Sequence, residues 1–200
     1  MNFDNFNASN EDRGQSSLAG DTSQGNSDLP LVLLQYIDRI DHLLENSSEE
    51  DFLKSASLEV ETLVVAEGLL RDDQMLGCDD TYNRHQLYAD PEGRFTILAL
   101  VWKPSQFTCI HGHNAWGIVG VRQGCIRVEC FDFDGEAKPP ADLIKTATID
   151  ANVGDISAVG TAPSGIHRLG NASDDIAITI HTYGMDLSRH PASINVVYAD

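Results

Sequence analysis

The chain has 200 residues, 42% of them hydrophobic, enough for one domain with a core plus extra chain at an end. Its 31 acidic residues against 13 basic ones give a formal charge of −18, which repels phosphate backbones and anionic bilayers and excludes nucleic acid as an expected partner. No uncharged apolar run approaches the ~18 residues of a membrane span; Cys78, Cys109, Cys125 and Cys130 form no CxxC pair and the start has no charged, apolar leader, so a cytoplasmic protein with free thiols and no membrane attachment is expected.

Residues 1–26 are rich in Asn, Asp, Ser, Gly and Gln and bury too little to offset the entropy of ordering, so a disordered, dispensable tail is expected. From Ser27 the pattern changes. Leu33, Ile37, Ile40 and Leu44 recur at helical spacing behind cap-competent Ser27 and Asp28, with Pro30 in the first turn, which predicts an amphipathic helix. Asn46-Ser47-Ser48 breaks it, and Ser47 with Glu50 has the form of a capping box. Leu53, Val60, Val64 and Leu69 then carry a second helical stretch to Leu70 or Met75, with a break admissible at 55–57. Residues 27–76 therefore read as a helical layer, packed on a β-region at 77–200 as one domain.

After Cys78 the period becomes two. Residues 95–102 are an apolar run suited to a buried strand, and 125–132 alternate, with Ile126, Val128 and Cys130 on one side. Residues 144–149, 155–159 and 176–183 read the same way between Gly, Pro, Asn and Asp clusters. Short strands at this spacing make a sandwich or barrel, so the fold class is α+β, mainly β, with N-terminal helices. Trp102 reads as core, Trp116 as pocket wall or core.

His111-Gly112-His113 sits where a strand should end, and strand geometry sends both imidazoles to one face and Gly112 to the other. An HxH pair alone more often marks ordinary polar or interfacial histidines than metal ligands; the surrounding spacing discriminates. Asn114, Ala115 and Trp116, then Gly117, then six residues to Gly124 resemble the first cupin motif, HxH followed by Glu and Gly. Gly117 stands in place of the Glu, and Ser105 in place of the motif's leading Gly. Pro163-Ser164-Gly165-Ile166-His167-Arg168-Leu169-Gly170-Asn171 resembles the second motif, with His167 as third ligand. Both motifs, in order, imply a cupin β-barrel (double-stranded β-helix or jelly roll) with a metal on His111, His113 and His167.

Without the Glu, three neutral imidazoles leave an Fe(II) site at formal charge +2, which favours an anionic substrate ligand such as a thiolate. A three-histidine cupin with Gly at this position resembles the cysteine dioxygenase family, including its 3-mercaptopropionate dioxygenases, over roughly residues 82–184. Trp116-Gly117-Ile118-Val119-Gly120-Val121 is similar to the bacterial members, whose usual HDH is His111-Gly112-His113 here. Mammalian members carry near Gly117 a Cys cross-linked to a Tyr, a link this chain cannot make. The resemblance implies an Fe(II) enzyme converting L-cysteine and O2 to cysteine sulfinic acid, with a small thiol and O2 as partners.

Alternation at 176–183 places Ile176, Ile178 and Ile180 on one face and Thr179, His181 and Tyr183 on the other. The family's Ser-His-Tyr relay lies at this place, so these three are the candidate catalytic residues, with Thr179 hydrogen-bonding His181 and His181 holding Tyr183. Tyr82-Asn83-Arg84, read as preceding the first strand, resembles the family's Tyr-x-Arg, whose Arg binds the substrate carboxylate. Members preferring 3-mercaptopropionate usually carry Gln there, so Arg84 points to L-cysteine. Arg168 and Arg189 are rival anchors, Gln86 lies close in sequence, and His42, His85 and His190 read as surface residues. A dioxygenase of 3-mercaptopropionate or another small thiol, a zinc hydrolase or lyase, and a non-catalytic metal-binding cupin remain open, as does the oligomeric state, a monomer included.

Overall fold

The computed structural model describes residues 28–134, 142–187 and 194–199, so the expected tail at 1–26 lies outside them. Helix α1, Leu31–Asn46, buries Leu33, Tyr36, Ile37 and Ile40, a single stripe at the spacing the sequence carries. Pro30, expected inside the first turn, is the N-cap residue itself: its carbonyl accepts from the Leu33 and Leu34 amides at 2.9 and 3.1 Å. Helix α2, Glu49–Val65, is capped by Ser48 rather than Ser47, the Ser48 hydroxyl accepting from the Asp51 amide at 3.3 Å. Ser47 is already committed as the C-cap of α1, its amide donating to the Leu43 carbonyl at 3.0 Å. No break occurs at 55–57: the Ser57 hydroxyl donates back to the Leu53 carbonyl at 2.7 Å within the helix, and Phe52, Ala56 and Val60 are buried on either side of it. The helix stops at Val65, short of Leu70, where the Arg122 guanidinium takes the Val64 and Ala66 carbonyls at 2.9 and 2.8 Å. Leu69 and Leu70 are buried from a loop instead, before a 3-10 turn at Asp72–Met75.

The strands are β1 Asn83–Ala89, β2 Thr96–Trp102, β3 Ile110–His113, β4 Gly117–Gln123, β5 Cys125–Phe133, β6 Leu143–Asn152, β7 Ile156–Val159, β8 His167–Gly170, β9 Ala177–Tyr183 and β10 Asn195–Ala199. They form two five-stranded sheets, ordered β1-β2-β9-β4-β7 and β10-β3-β8-β5-β6, and every pairing is antiparallel. From β2 to β5 the chain changes sheet at each connection, and again from β6 to β10, which is the winding of a double-stranded β-helix. The fold is α+β, mainly β: a cupin-type barrel with N-terminal helices. The sequence placed Arg84 ahead of the first strand; in the structure it is the second residue of β1, whose alternation is masked by a register shift between Gln86 and Tyr88. Among the described residues no helix is long and apolar enough to cross a membrane.

The helices decide which way the first sheet faces. Ile97, Ala99 and Val101 of β2, Ile118 of β4, and Ile178 and Ile180 of β9 pack in one core with Leu33, Ile40, Val60 and Val64 of the helices. The alternate residues of β2, namely Leu98, Leu100 and Trp102, join Val121, Ile126 and Leu169 in a second core between the sheets. Burying Ile178 and Ile180 under the helices contributes about 1.5–3 kcal/mol each. It also turns Thr179, His181 and Tyr183 inward.

Ser105, at the position of the motif's missing glycine, has φ 66°; it is the only non-glycine among the described residues in the left-handed region. Its amide donates to the Asn171 carbonyl at 2.9 Å, so the conformation is used although the glycine is gone. Ser105→Gly should therefore stabilise the protein by about 1 kcal/mol, since relieving left-handed strain outweighs the added chain entropy. The midpoint of urea unfolding measures this; an unchanged or lower midpoint would show the strain to be negligible.

Candidate metal centre

Strand β3 carries His111 and His113, and β8 begins at His167, which is the register partner of His111. One nitrogen from each imidazole lies within 4.8 Å of the other two, and the ring centroids are 4.6 to 5.0 Å apart. All three residues are buried, and so is Gly112, whose Cβ position points away from them towards Ala162 and Tyr198. His111 Nδ1 lies 3.0 Å from the Cys109 carbonyl, a partner that places its proton there and leaves Nε2 with a lone pair.

Both nitrogens of His113 and Nε2 of His167 are sealed from water with no protein partner. Such groups cost about 1–3 kcal/mol each unless something satisfies them. Burial first, then the neighbouring imidazoles, push the pKa of His113 down to about 3 and that of His167 to about 2, so these two rings stay neutral at neutral pH. Unpartnered, neutral, converging nitrogens fit a metal ion. Among the described residues no carboxylate belongs to this group.

The missing carboxylate has a steric counterpart. Gly117 of β4 is the register partner of Tyr183 on β9, and a Cβ at Gly117 would lie 3.0 Å from two carbons of the phenol ring. Tyr183 thus occupies the space a Glu side chain would need, and its ring centroid stands 5.4 Å from that of His113. From Tyr183 a hydrogen-bonded line runs along β9: Oη to His181 Nδ1 at 2.9 Å, then His181 Nε2 to Thr179 Oγ1 at 2.7 Å. Burial, then the Arg84 charge, push the His181 pKa down to about 3, while burial raises that of the Tyr183 phenol. Both groups are neutral at physiological pH.

Arg84 and Tyr82 face this line across a small cavity whose walls also include His111, His181 and Tyr183. The Arg84 Nη2 group donates to Tyr82 Oη at 2.7 Å, and the guanidinium lies 5.2 Å from the Tyr82 ring centroid. Arg168 is turned away. It alternates with His167 on β8, donates to the Thr108 carbonyl at 3.3 Å, lies 3.6 Å from Glu129 and covers the Phe107 ring. Arg189 and His190 lie outside the described residues, and Gln86 is not among the cavity walls. His42 is exposed as expected; His85, expected at the surface, is half-buried beside Asp73, and burial lowers its pKa. A larger cavity of about 500 Å³ between the helices and another of about 600 Å³ beyond His167 offer no second group of metal-ligating side chains among the described residues. The cavity beyond His167 is walled mainly by Val, Ile and Leu and offers no cation to a carboxylate. Trp116 packs against Phe52 of α2 with centroids 4.8 Å apart, so it belongs to the helical core. Sequence reasoning missed the part played by Trp102, whose indole donates to Thr179 Oγ1 at 2.9 Å and stacks on Tyr82.

The chain is therefore a cupin-fold protein with a three-histidine cluster that could bind a metal. No protein-family model matches its sequence. Similar solved structures include a conserved protein with a double-stranded β-helix domain from Klebsiella pneumoniae, at 11% identity and TM-score 0.45, covering 68% of this chain and 99% of that one. A cupin 2 conserved barrel domain protein from Salinispora arenicola is 18% identical with TM-score 0.41, covering 59% and 87%. A sugar phosphate isomerase of the cupin superfamily from Silicibacter pomeroyi is 15% identical with TM-score 0.36, covering 46% and 51%, so this chain spans about half its length. The assignment of the barrel here rests on the chain's own strand order and register.

Proposed function

We propose that the protein is an iron(II)-dependent thiol dioxygenase that oxidises L-cysteine with O2 to cysteine sulfinic acid in the cytoplasm. The observation that carries this reading is the small cavity whose walls include His111, Arg84, Tyr82, His181 and Tyr183, with no carboxylate among them; His113 and His167 line a second small cavity that shares His181 and Tyr183 with it. His111, His113 and His167 would hold the iron, and iron on three neutral imidazoles supplies the redox chemistry that joins an anionic thiolate to O2. Both oxygen atoms of O2 end on the sulfur and the thiol provides the electrons, so no external reductant enters the balance.

The remaining groups bind and orient. Arg84 offers a planar fork to the substrate carboxylate, and Tyr82 holds that fork in place. Leu98, Leu100, Leu187 and Ile194 exclude water around it. Tyr183, held by His181 through its hydroxyl, sets its ring beside that of His113 and lines the cavity with Arg84. A zinc hydrolase would need a base to activate water, and the cavity walls hold none of the carboxylates that usually serve.

The test is metal analysis of protein purified without chelators, coupled to O2 uptake with L-cysteine, 3-mercaptopropionate and cysteamine. Thiol-dependent uptake that scales with bound iron is expected; iron-loaded protein that consumes no O2 with any of the three would end the proposal. Tyr183→Phe should fold normally and slow turnover about tenfold or more, because only one hydroxyl is lost. A rate within about twofold of wild type would remove Tyr183 from the reaction.

A further inference from the structure

The relay on β9 continues one residue further than its three members. Trp102 lies in β2, fully buried, and its indole N–H donates to Thr179 Oγ1 at 2.9 Å. An indole nitrogen can only donate, so Thr179 Oγ1 must accept there. The threonine keeps one hydrogen of its own to place. Thr179 is fully buried, and its remaining partner is His181 Nε2 at 2.7 Å. If Nε2 carried the imidazole proton, Thr179 would accept twice and its hydroxyl hydrogen would point at no acceptor in a site sealed from water, an arrangement that buried polar groups avoid.

We propose that Trp102 is a positioning residue that fixes the direction of the relay: Trp102 N–H to Thr179, Thr179 O–H to His181 Nε2, and His181 Nδ1–H to Tyr183 Oη. Tyr183 then receives a hydrogen bond from His181, and its own hydroxyl hydrogen is left to donate into the cavity. With the opposite polarity the phenol would spend that hydrogen on His181 and could only accept from a substrate. The same indole stacks on Tyr82, with ring centroids 4.3 Å apart and planes at 29°, and Tyr82 is the residue that pairs with Arg84. One buried ring therefore supports both the carboxylate anchor through its face and the proton-donating Tyr183 through its edge.

The inference rests on the relay described above, but its test does not require turnover. Histidine-labelled full-length protein, metal-free and loaded with diamagnetic zinc, is examined by nitrogen-15 NMR, which distinguishes protonated from bare ring nitrogens. Wild-type His181 should show Nδ1 protonated and Nε2 bare, and Thr179→Ser should preserve that pattern. Trp102→Phe, which keeps a ring under Tyr82 but removes the donor, should move the tautomer ratio about five- to tenfold towards Nε2–H, the effect of losing one hydrogen bond. In the iron-loaded enzyme the same variant should lower kcat while leaving the KM for L-cysteine within about twofold, since Arg84 and Tyr82 remain. Wild-type His181 protonated on Nε2, or an unchanged tautomer ratio in Trp102→Phe, overturns the assignment. Should Trp102→Phe fail to fold, Thr179→Val replaces it, and an Nδ1–H tautomer surviving there overturns it equally. Absence of thiol oxidation in wild type would instead overturn the dioxygenase reading and leave the tautomer result standing.

Discussion

Replacing any one of His111, His113 and His167 with Ala should empty the metal centre, weakening metal binding by well over 100-fold. Changing a group that merely supports a ligand costs about 10- to 100-fold, and here one of three ligands is removed with no carboxylate among the described residues to take its place. Thiol-dependent O2 uptake should be lost with the metal. Folding supplies an independent readout: bound metal stabilises wild type by mass action, so its Tm should rise with added metal, and each variant should lose that rise. The metal-free His113 and His167 variants should otherwise survive. Both nitrogens of His113 and Nε2 of His167 have no protein partner to lose, whereas a histidine serving the fold would be hydrogen-bonded. Stoichiometric metal retained by one variant would remove that residue from the ligand set, and collapse of the metal-free variants would mean that the cluster serves structure.

Much of this site was readable because two strands carry clean alternation. In β9 the isoleucines and the Thr-His-Tyr set fall on opposite faces, and the observed hydrogen bonds of 2.7 and 2.9 Å follow that division. In β3 the same rule puts His111 and His113 together. What alternation does not reach is what was missed. Strand β2 is buried on both faces, under the helices and inside the barrel, so its sequence is apolar throughout and says nothing about where the Trp102 edge points. Strand β8 is only four residues long, too short for a period to show; this is why Arg168 could rival Arg84 until the register fixed it outward against Glu129. The helix boundaries moved because capping is a tertiary matter here: Arg122, from a strand more than fifty residues later, closes the end of α2.

Arg84→Gln should impair the use of L-cysteine about 10-fold or more while leaving cysteamine little changed. Only L-cysteine carries a carboxylate, and a charge-assisted bidentate pair is worth about 1.5–3 kcal/mol, or about 10- to 150-fold in affinity. Arg84→Lys should also be impaired, because an ammonium keeps the charge but not the planar fork. Tyr82→Phe should fall between wild type and Arg84→Gln, since it removes the support and spares the anchor. The ratio of kcat/KM for L-cysteine and cysteamine measures all three variants. If the wild type instead prefers 3-mercaptopropionate and Arg84→Gln leaves those kinetics unchanged, the carboxylate is held elsewhere. Arg168 could serve only by leaving Glu129 and crossing to the other face of β8. That outcome would withdraw L-cysteine as the substrate while leaving the three-histidine centre and the barrel as they stand.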